Sequence, residues 1–307
     1  MDHRPVLVIG TSIMDTKGQA VGPLIPGTPN PGHVRISAGG VGRNVAENLA
    51  RLGVPTVLLS AVGDDEEGRY LLKRTAEAGV DVSEVLVAPD YHTGEYLVVL
   101  DEAGTPVISI SDTSIIETVT PAYIHQHRRR FKEASMVVLD ANLSSATIAS
   151  IVKAARREGV PVCADPTAVS LAPKLRRHLP DLYMITPNMK EAEVLCGECI
   201  GSREEAVAVA KSLVRMGVQV AIIALAELGV AYASAETSGH VPAFPCEVVD
   251  LTGAGDALTA GVVFGLLNEM PLDEAVRLGA AAAAFTVQNR ETVHSGLTLE
   301  RLYDQMG

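Results

Sequence analysis

Short, nearly continuous apolar runs alternate along this chain with longer stretches in which apolar residues recur every three to four positions. The first run, VLVIG at 6–10, predicts a strand. From residue 56 onward the alternation is regular. TVLLSAVG predicts a strand and EEGRYLLKRTAEAG an amphipathic helix ending at Gly79; MVVLD predicts the next strand and SATIASIVKAARREG the next helix. VPVCAD and DLYMIT predict two more strands before a helix over NMKEAEVL, and the helix EEAVAVAKSLVRMG leads into the strand VQVAIIAL. Strands and helices in this alternation predict βαβ units, hence a mostly parallel sheet buried between helix layers.

Two stretches break the alternation. Residues 11–40 are rich in glycine and proline with little helical period, and residues 85–111 alternate as strands around a DEAG turn in LVVLDEAGTPVISIS. Together they predict a small β lid over the α/β core, and a lid is a means of excluding water from a site. The 307 residues suffice for about two domains or one large α/β unit.

Charge narrows the functions. With 25 Lys+Arg against 37 Asp+Glu, the net charge of −12 argues against a general nucleic-acid binder, which needs a basic face. The basic run HQHRRRFKE at 125–133 reads as a solvated helix face, because the chain is 4% aromatic and lacks Trp for stacking on bases. A phosphorylated ligand stays open, since backbone amides hold phosphate without side-chain charge. No apolar run reaches the ~18 residues of a membrane span, and the polar start MDHRP lacks the features of a signal peptide. The expected setting is the cytoplasm, with no membrane partner. Cys196 and Cys199 form a CxxC without the second close pair of a structural zinc site. They follow a helix rather than open one, so reduced thiols are expected, together with Cys163 and Cys246.

Three local motifs carry candidate chemistry. In DLTGAGD (250–256) an apolar helix, ALTAGVVFGLLNE, follows at once. The amides of Gly253, Ala254 and Gly255 would then form an anion hole at a helix start, with Asp256 at its mouth as a proton acceptor. A plain glycine turn with an aspartate cap gives the same letters. In SAGGVGRNVAENLARLG (37–53), Val45 replaces the third glycine of a dinucleotide loop, and no acidic ribose reader follows at the right place. The loop instead suits close backbone approach to a polyol, with Asn44 to hydrogen-bond it. In PNMKE, Asn188 and Glu191 share one face of a first helical turn, as a water-mediated Mg²⁺ site or as a capping box. No GxxxxGK[ST] motif occurs.

Taken together, GGVGRNVA with Gly53 and Gly63, PNMKE, and DLTGAGDALTAGVV resemble the ribokinase-like, or PfkB, carbohydrate kinases. The resemblance covers the chain from VLVIGTSIMD to the last helices. It implies one domain over 1–307: a three-layer α/β sandwich with a mostly parallel central sheet and a β lid from about 11–40 and 85–115. It also implies ATP- and Mg²⁺-dependent phosphorylation of a small-molecule hydroxyl. Carried over residue by residue, Asp256 is the general base, and Gly253, Ala254 and Gly255 are the anion hole. Asp15, Gly40 and Asn44 hold the acceptor. Asn188 and Glu191 organise Mg²⁺ and phosphates, Gly229 belongs to the nucleotide loop, and Asp250 and Thr252 match a monovalent-cation site, commonly for K⁺. An exposed lid sheet needs covering, and pairing of two lids into a homodimer is the implied answer.

GRNVAENLARLG and SDTSIIETVTPAYI most resemble pseudouridine kinases and related nucleoside kinases, in which Thr93 and Asp112 would face the nucleoside from the lid side. Asp112 equally suits an exposed turn. Asp165, at the end of a predicted strand before Pro166, is a further candidate for contact with nucleotide or metal, and His33 is read as an exposed loop residue. The chain departs from the family pattern at Leu251 and at IIALAELG, where Ala224 and Ala226 replace a threonine and a glycine. That departure also leaves room for a non-catalytic sugar- or nucleoside-binding protein, while the intact GAGD favours an enzyme. A ribokinase- or fructokinase-like sugar kinase is the alternative activity.

Overall fold

The computed structural model describes residues 4–307; the polar start at 1–3 lies outside the described residues. In chain order the strands are β1 (Val6–Ile9), β2 (Ile13–Ala20), β3 (Gly32–Gly39), β4 (Thr56–Leu59), β5 (Ala61–Gly63), β6 (Leu86–Ala88) and β7 (Gly94–Leu100). There follow β8 (Pro106–Asp112), β9 (Met136–Asp140), β10 (Val162–Asp165), β11 (Met184–Ile185), β12 (Val220–Ala224), β13 (Val230–Ala233) and β14 (Ser238–Val241). The helices are α1 (Val41–Arg51), α2 (Glu66–Glu77), α3 (Pro121–Gln126), α4 (Arg128–Glu133) and α5 (Ser145–Glu158). The remaining five are α6 (Met189–Cys196), α7 (Arg203–Arg215), α8 (Ala254–Leu267), α9 (Leu272–Thr286) and α10 (Leu299–Met306).

The main sheet runs β14-β13-β12-β11-β10-β9-β1-β4 and is parallel except at its β12-β13-β14 edge. Apart from Asp140 and Asp165 closing β9 and β10, its central strands are apolar because both faces are covered. Leu7 and Ile9 pack with α5, α6 and α7 through Ile148, Leu195 and Val209. Val6 and Val8, on the opposite face, pack with α1, α8 and α9 through Leu49, Val262 and Val276. The result is the ribokinase-like three-layer arrangement.

A second sheet, β3-β2-β7-β8, stands apart from the first. One face buries Met14 and Ala38 against Val62 and Leu71. Farther along the same face, Val34, Ile36, Ile108 and Ile110 are more than half exposed.

Three expected elements differ. TVLLSAVG breaks at buried Ser60, whose carbonyl is taken by the Leu86 amide at 2.9 Å, so its second half pairs with β6 in a separate two-stranded sheet. The start of the 85–111 segment is therefore not part of the hairpin. DLYMIT yields only a two-residue strand, β11, which Pro187, lacking an amide proton, closes off two residues later.

Candidate active site

The C-terminal ends of the parallel strands and the N-termini of α1, α6 and α8 meet on one side of the main sheet, where open α/β folds hold ligands. Gly40 caps α1 at φ 95°, and a side chain there would strike the Thr11 backbone. Asp140, at the end of β9, anchors this turn: it accepts from Thr11 N at 2.7 Å, Thr11 Oγ1 at 2.9 Å and Gly42 N at 3.1 Å.

α8 begins the same way. Gly253 is its cap at φ 84°, and a Cβ would collide with the Thr292 carbonyl oxygen. In GAGD the Ala254 amide makes a long 3.4 Å bond to the Leu251 carbonyl; the Gly253 and Gly255 amides have no acceptor among the described residues. Such orphan amides at a helix start favour an anion.

Asp256 lies one turn in, 8% exposed, and accepts a 2.6 Å bond from Asn44 Nδ2. Burial, with Asp140 and Asp15 adding to it, pushes its carboxyl up to about 7 against the Asn44 bond and the Arg43 charge. Asn44 is itself fixed. Its Oδ1 accepts from Arg43 Nη2, and Thr292 Oγ1 lies 3.0 Å away. Arg43 is fully buried, bonded through Nε to the Gly39 carbonyl at 2.9 Å, through Nη2 to Thr292 Oγ1 at 3.0 Å, and through Nη1 to Glu47. Asp15 on β2 faces the same space beside Gly39, and burial raises its carboxyl to about 6 despite nearby Lys17 and Arg43.

Asn188 and Glu191 form a capping box at the start of α6. Asn188 Oδ1 accepts from Glu191 N at 3.0 Å, and Glu191 Oε2 accepts from Asn188 N at 2.9 Å. The capping and metal readings are compatible, because Glu191 Oε1 is outside the box. Burial raises Glu191, and it raises the neighbouring Asp165 further, with the charges of Asp256 and Glu191 adding to the effect. A buried group of mutually repelling carboxylates suits a divalent cation. Among the described residues no three His, Cys, Asp or Glu side chains are grouped to hold one directly. Asn188 bridges to Ala224 at the end of β12, so the neighbouring turn lies at the same sheet edge. There Leu225 N donates to the Gly229 carbonyl at 2.8 Å; Gly229 has φ 99° and Ala226 has φ 52°. The alanine thus keeps a backbone shape that a glycine adopts more cheaply.

Thr93 and Asp112 stand apart from this cluster. Thr93 Oγ1 donates to Asp65 Oδ1 at 2.5 Å and accepts from Gly63 N at 2.9 Å. It lines a cavity of about 270 Å³ with Met14, Thr16 and Asp65. Asp112 is exposed and forms a turn with Ser114, accepting from its N at 3.1 Å and its Oγ at 2.7 Å. Asp250 and Thr252 do not present an open cation site: Lys17 Nζ donates to Asp250 Oδ2 and Thr252 Oγ1, each at 2.6 Å. Burial pushes Asp250 up, but the bonds from Lys17 and Thr252 outweigh it and hold the carboxyl below its ordinary range. Cys196, half-buried, has its thiol pushed up to about 11 by burial, and none of the four cysteines is in a disulfide.

The family model of the pfkB family carbohydrate kinases matches residues 4–298. The chain belongs to that family. As a pfkB kinase it is a phosphotransferase acting on a hydroxyl of a small sugar or nucleoside. It is 34% identical over 296 residues to pseudouridine kinase of Escherichia coli K12, covering 96% of this chain and 94% of that one. It is 31% identical over 299 residues to guanosine-inosine kinase of Exiguobacterium acetylicum, covering 97% and 98%. The Arabidopsis thaliana ribokinase solved with ribose and ATP shares the fold at a TM-score of 0.88 and 23% identity, covering 99% of this chain and 98% of that one. Among the described residues no helix of this pfkB kinase is long and apolar enough to cross a membrane.

Lys17, Arg43, Asp140 and Thr292 were not among the residues singled out from the sequence. Asp140 had a usable signal, a carboxylate closing the apolar run MVVLD at a strand's C-terminal end. Arg43 and Glu47 have only the i,i+4 spacing common to exposed helix pairs, so nothing local marks them as buried.

Proposed function

We propose that this pfkB kinase transfers the γ-phosphoryl group of ATP to a primary hydroxyl of a nucleoside, pseudouridine foremost. The observation that carries this reading is the Asp256 carboxylate, oriented by Asn44 beside the open amides at the start of α8. In its ionised form Asp256 takes the proton from the attacking hydroxyl. The amides of Gly253 and Gly255, continued by Ala254, stabilise charge on the phosphoryl group in flight. Asp15, Asn44 and the Gly40 turn hold the ribose hydroxyls. Thr93 and Asp112 border the base from the small sheet, which acts as the lid. The Gly229 turn receives the nucleotide. Asn188 and Glu191 would hold Mg²⁺ through its waters, where it would neutralise phosphate charge. The nucleoside preference rests on the likeness to two nucleoside kinases rather than on any contact to a base. The exposed apolar face of β3 and β8 suits a second copy of this chain, since a self-complementary patch closes as a two-fold dimer.

The test is ADP release with ATP and Mg²⁺ against pseudouridine, uridine, cytidine, adenosine, inosine, ribose and fructose. Turnover on pseudouridine well above the rest is the expected result. Turnover on ribose or fructose alone would replace the nucleoside with a sugar. Binding without any ADP release would make the chain a binder on a kinase scaffold. Light scattering reads the dimer, with twice the chain mass expected.

A further inference from the structure

Lys17 lies two residues beyond Asp15 on β2, so the two side chains leave the same face of the small sheet. Its side chain is 10% exposed, and that of its partner Asp250 is 16% exposed. Besides holding Lys17 Nζ through Oδ2, Asp250 accepts from Thr252 N through Oδ1 at 2.9 Å. The ammonium therefore closes a ring with Asp250 and Thr252, in the turn just before the Gly253–Gly255 amides. It joins the small sheet to the loop of the anion hole. The family resemblance implies a monovalent cation at Asp250 and Thr252, and here both donor groups are taken by a covalently attached cation of the same charge. The two arrangements exclude each other.

We infer that Lys17 is a tethered replacement for that ion: a positioning residue that makes this kinase independent of K⁺. Its charge compensates Asp250 and fixes the turn from which the anion-hole amides project. A lysine suits the task because its ammonium is a compact point charge on a flexible stem. Removing it leaves Asp250 half-buried and uncompensated, and restores the two oxygen donors to solution cations.

The role in catalysis rests on the kinase reading; occupancy of the cation site does not. The experiment therefore measures thermal unfolding of the ligand-free protein as well as ADP release, in KCl, NaCl and choline chloride at equal ionic strength. Both are done for the wild type and for Lys17→Met, which keeps the stem and removes the charge. The wild type is expected to show the same Tm and the same turnover in K⁺ and in choline. Lys17→Met in choline is expected to melt roughly 5–10 °C lower and to turn over about tenfold more slowly or worse. K⁺ should restore much of both, in a saturable manner. Should Lys17→Met fail to fold in choline, refolding in KCl but not in choline supports the inference, and refolding in neither overturns it. A wild type stabilised or activated by K⁺ over choline overturns it, as does a folded Lys17→Met with no K⁺ response. If no acceptor is turned over, the acceptor assignment falls while the melting series still decides the role of Lys17.

Discussion

The two halves of the site are built by different means. Around Asp256 the geometry is held by side chains: Asn44 bonds Asp256, Arg43 bonds Asn44, and Thr292 and Glu47 hold Arg43. Around Gly229 it is held by backbone, in a turn whose shape persists although alanines stand at 224 and 226. A side-chain network fails when one member is removed, because each buried partner is left unsatisfied. A backbone turn tolerates substitution so long as its dihedrals survive. The half proposed to carry the proton transfer is thus the fragile one, and the half proposed to receive the nucleotide is forgiving.

The sharpest way to break this contrast is Asp256→Asn. Its carbonyl oxygen still accepts the Asn44 bond, so the fold is expected to persist by circular dichroism while kcat falls about 10²–10⁴-fold. Loss of less than tenfold would remove Asp256 as the base. The same carboxyl gives a pH signature. With its folded value raised to about 7 by burial, kcat/KM should rise with pH through about 7 and level off above it. Stability runs the other way. A raised carboxyl is accommodated best when neutral, so its contribution is complete below the unfolded value and is lost as pH rises through about 7. Asp256→Asn should therefore lose less Tm than the wild type between pH 6 and pH 8. An equal loss in both would assign the slope to another group.

Arg43→Met tests the network rather than the base. It takes one of two arginines from buried Glu47, leaving Arg51, and one of two donors from Asn44 Oδ1, leaving Thr292 Oγ1. Urea unfolding should show a loss of about 3 kcal/mol. A change below about 1 kcal/mol would mean that the network is decorative. The smallest effect is expected at Ala226→Gly. Relief of roughly 1–2 kcal/mol of left-handed strain is offset by about 0.5–1 kcal/mol of added chain entropy. A net gain of at most about 1 kcal/mol should result, with KM for ATP moving little. A large shift in KM would show that the nucleotide half is as demanding as the other.

Much of the fold was legible because parallel strands buried on both faces cannot hide: VLVI is apolar throughout, and MVVLD up to its closing aspartate. The αβ alternation and the helix start after GAGD followed from spacing alone, whereas the motifs gave Asp256, Asn44 and Glu191 candidate roles beside plainer alternatives, and the family resemblance chose between them. What stayed hidden depends on distant partners. Nothing local distinguishes Arg43, wholly buried, from an exposed helix arginine, and nothing near Lys17 announces that its ammonium ends between Asp250 and Thr252. The break at Ser60 was equally invisible, since it is set by an amide 26 residues away, that of Leu86. For Asp112 the sequence allowed both a nucleoside contact and an exposed turn, and its own bonds run no farther than Ser114.

The Asn44–Asp256 and Arg43–Thr292 bonds span 212 and 249 residues of chain. Contacts so remote in sequence are costly to close and form late. A nascent chain that has emerged only through α7 carries Arg43, Glu47 and Asn44 but neither Asp256 nor Thr292. The order of synthesis thus keeps the proposed chemistry silent until the final fifth of the polypeptide has docked, and a fragment ending before α8 lacks Asp256 altogether.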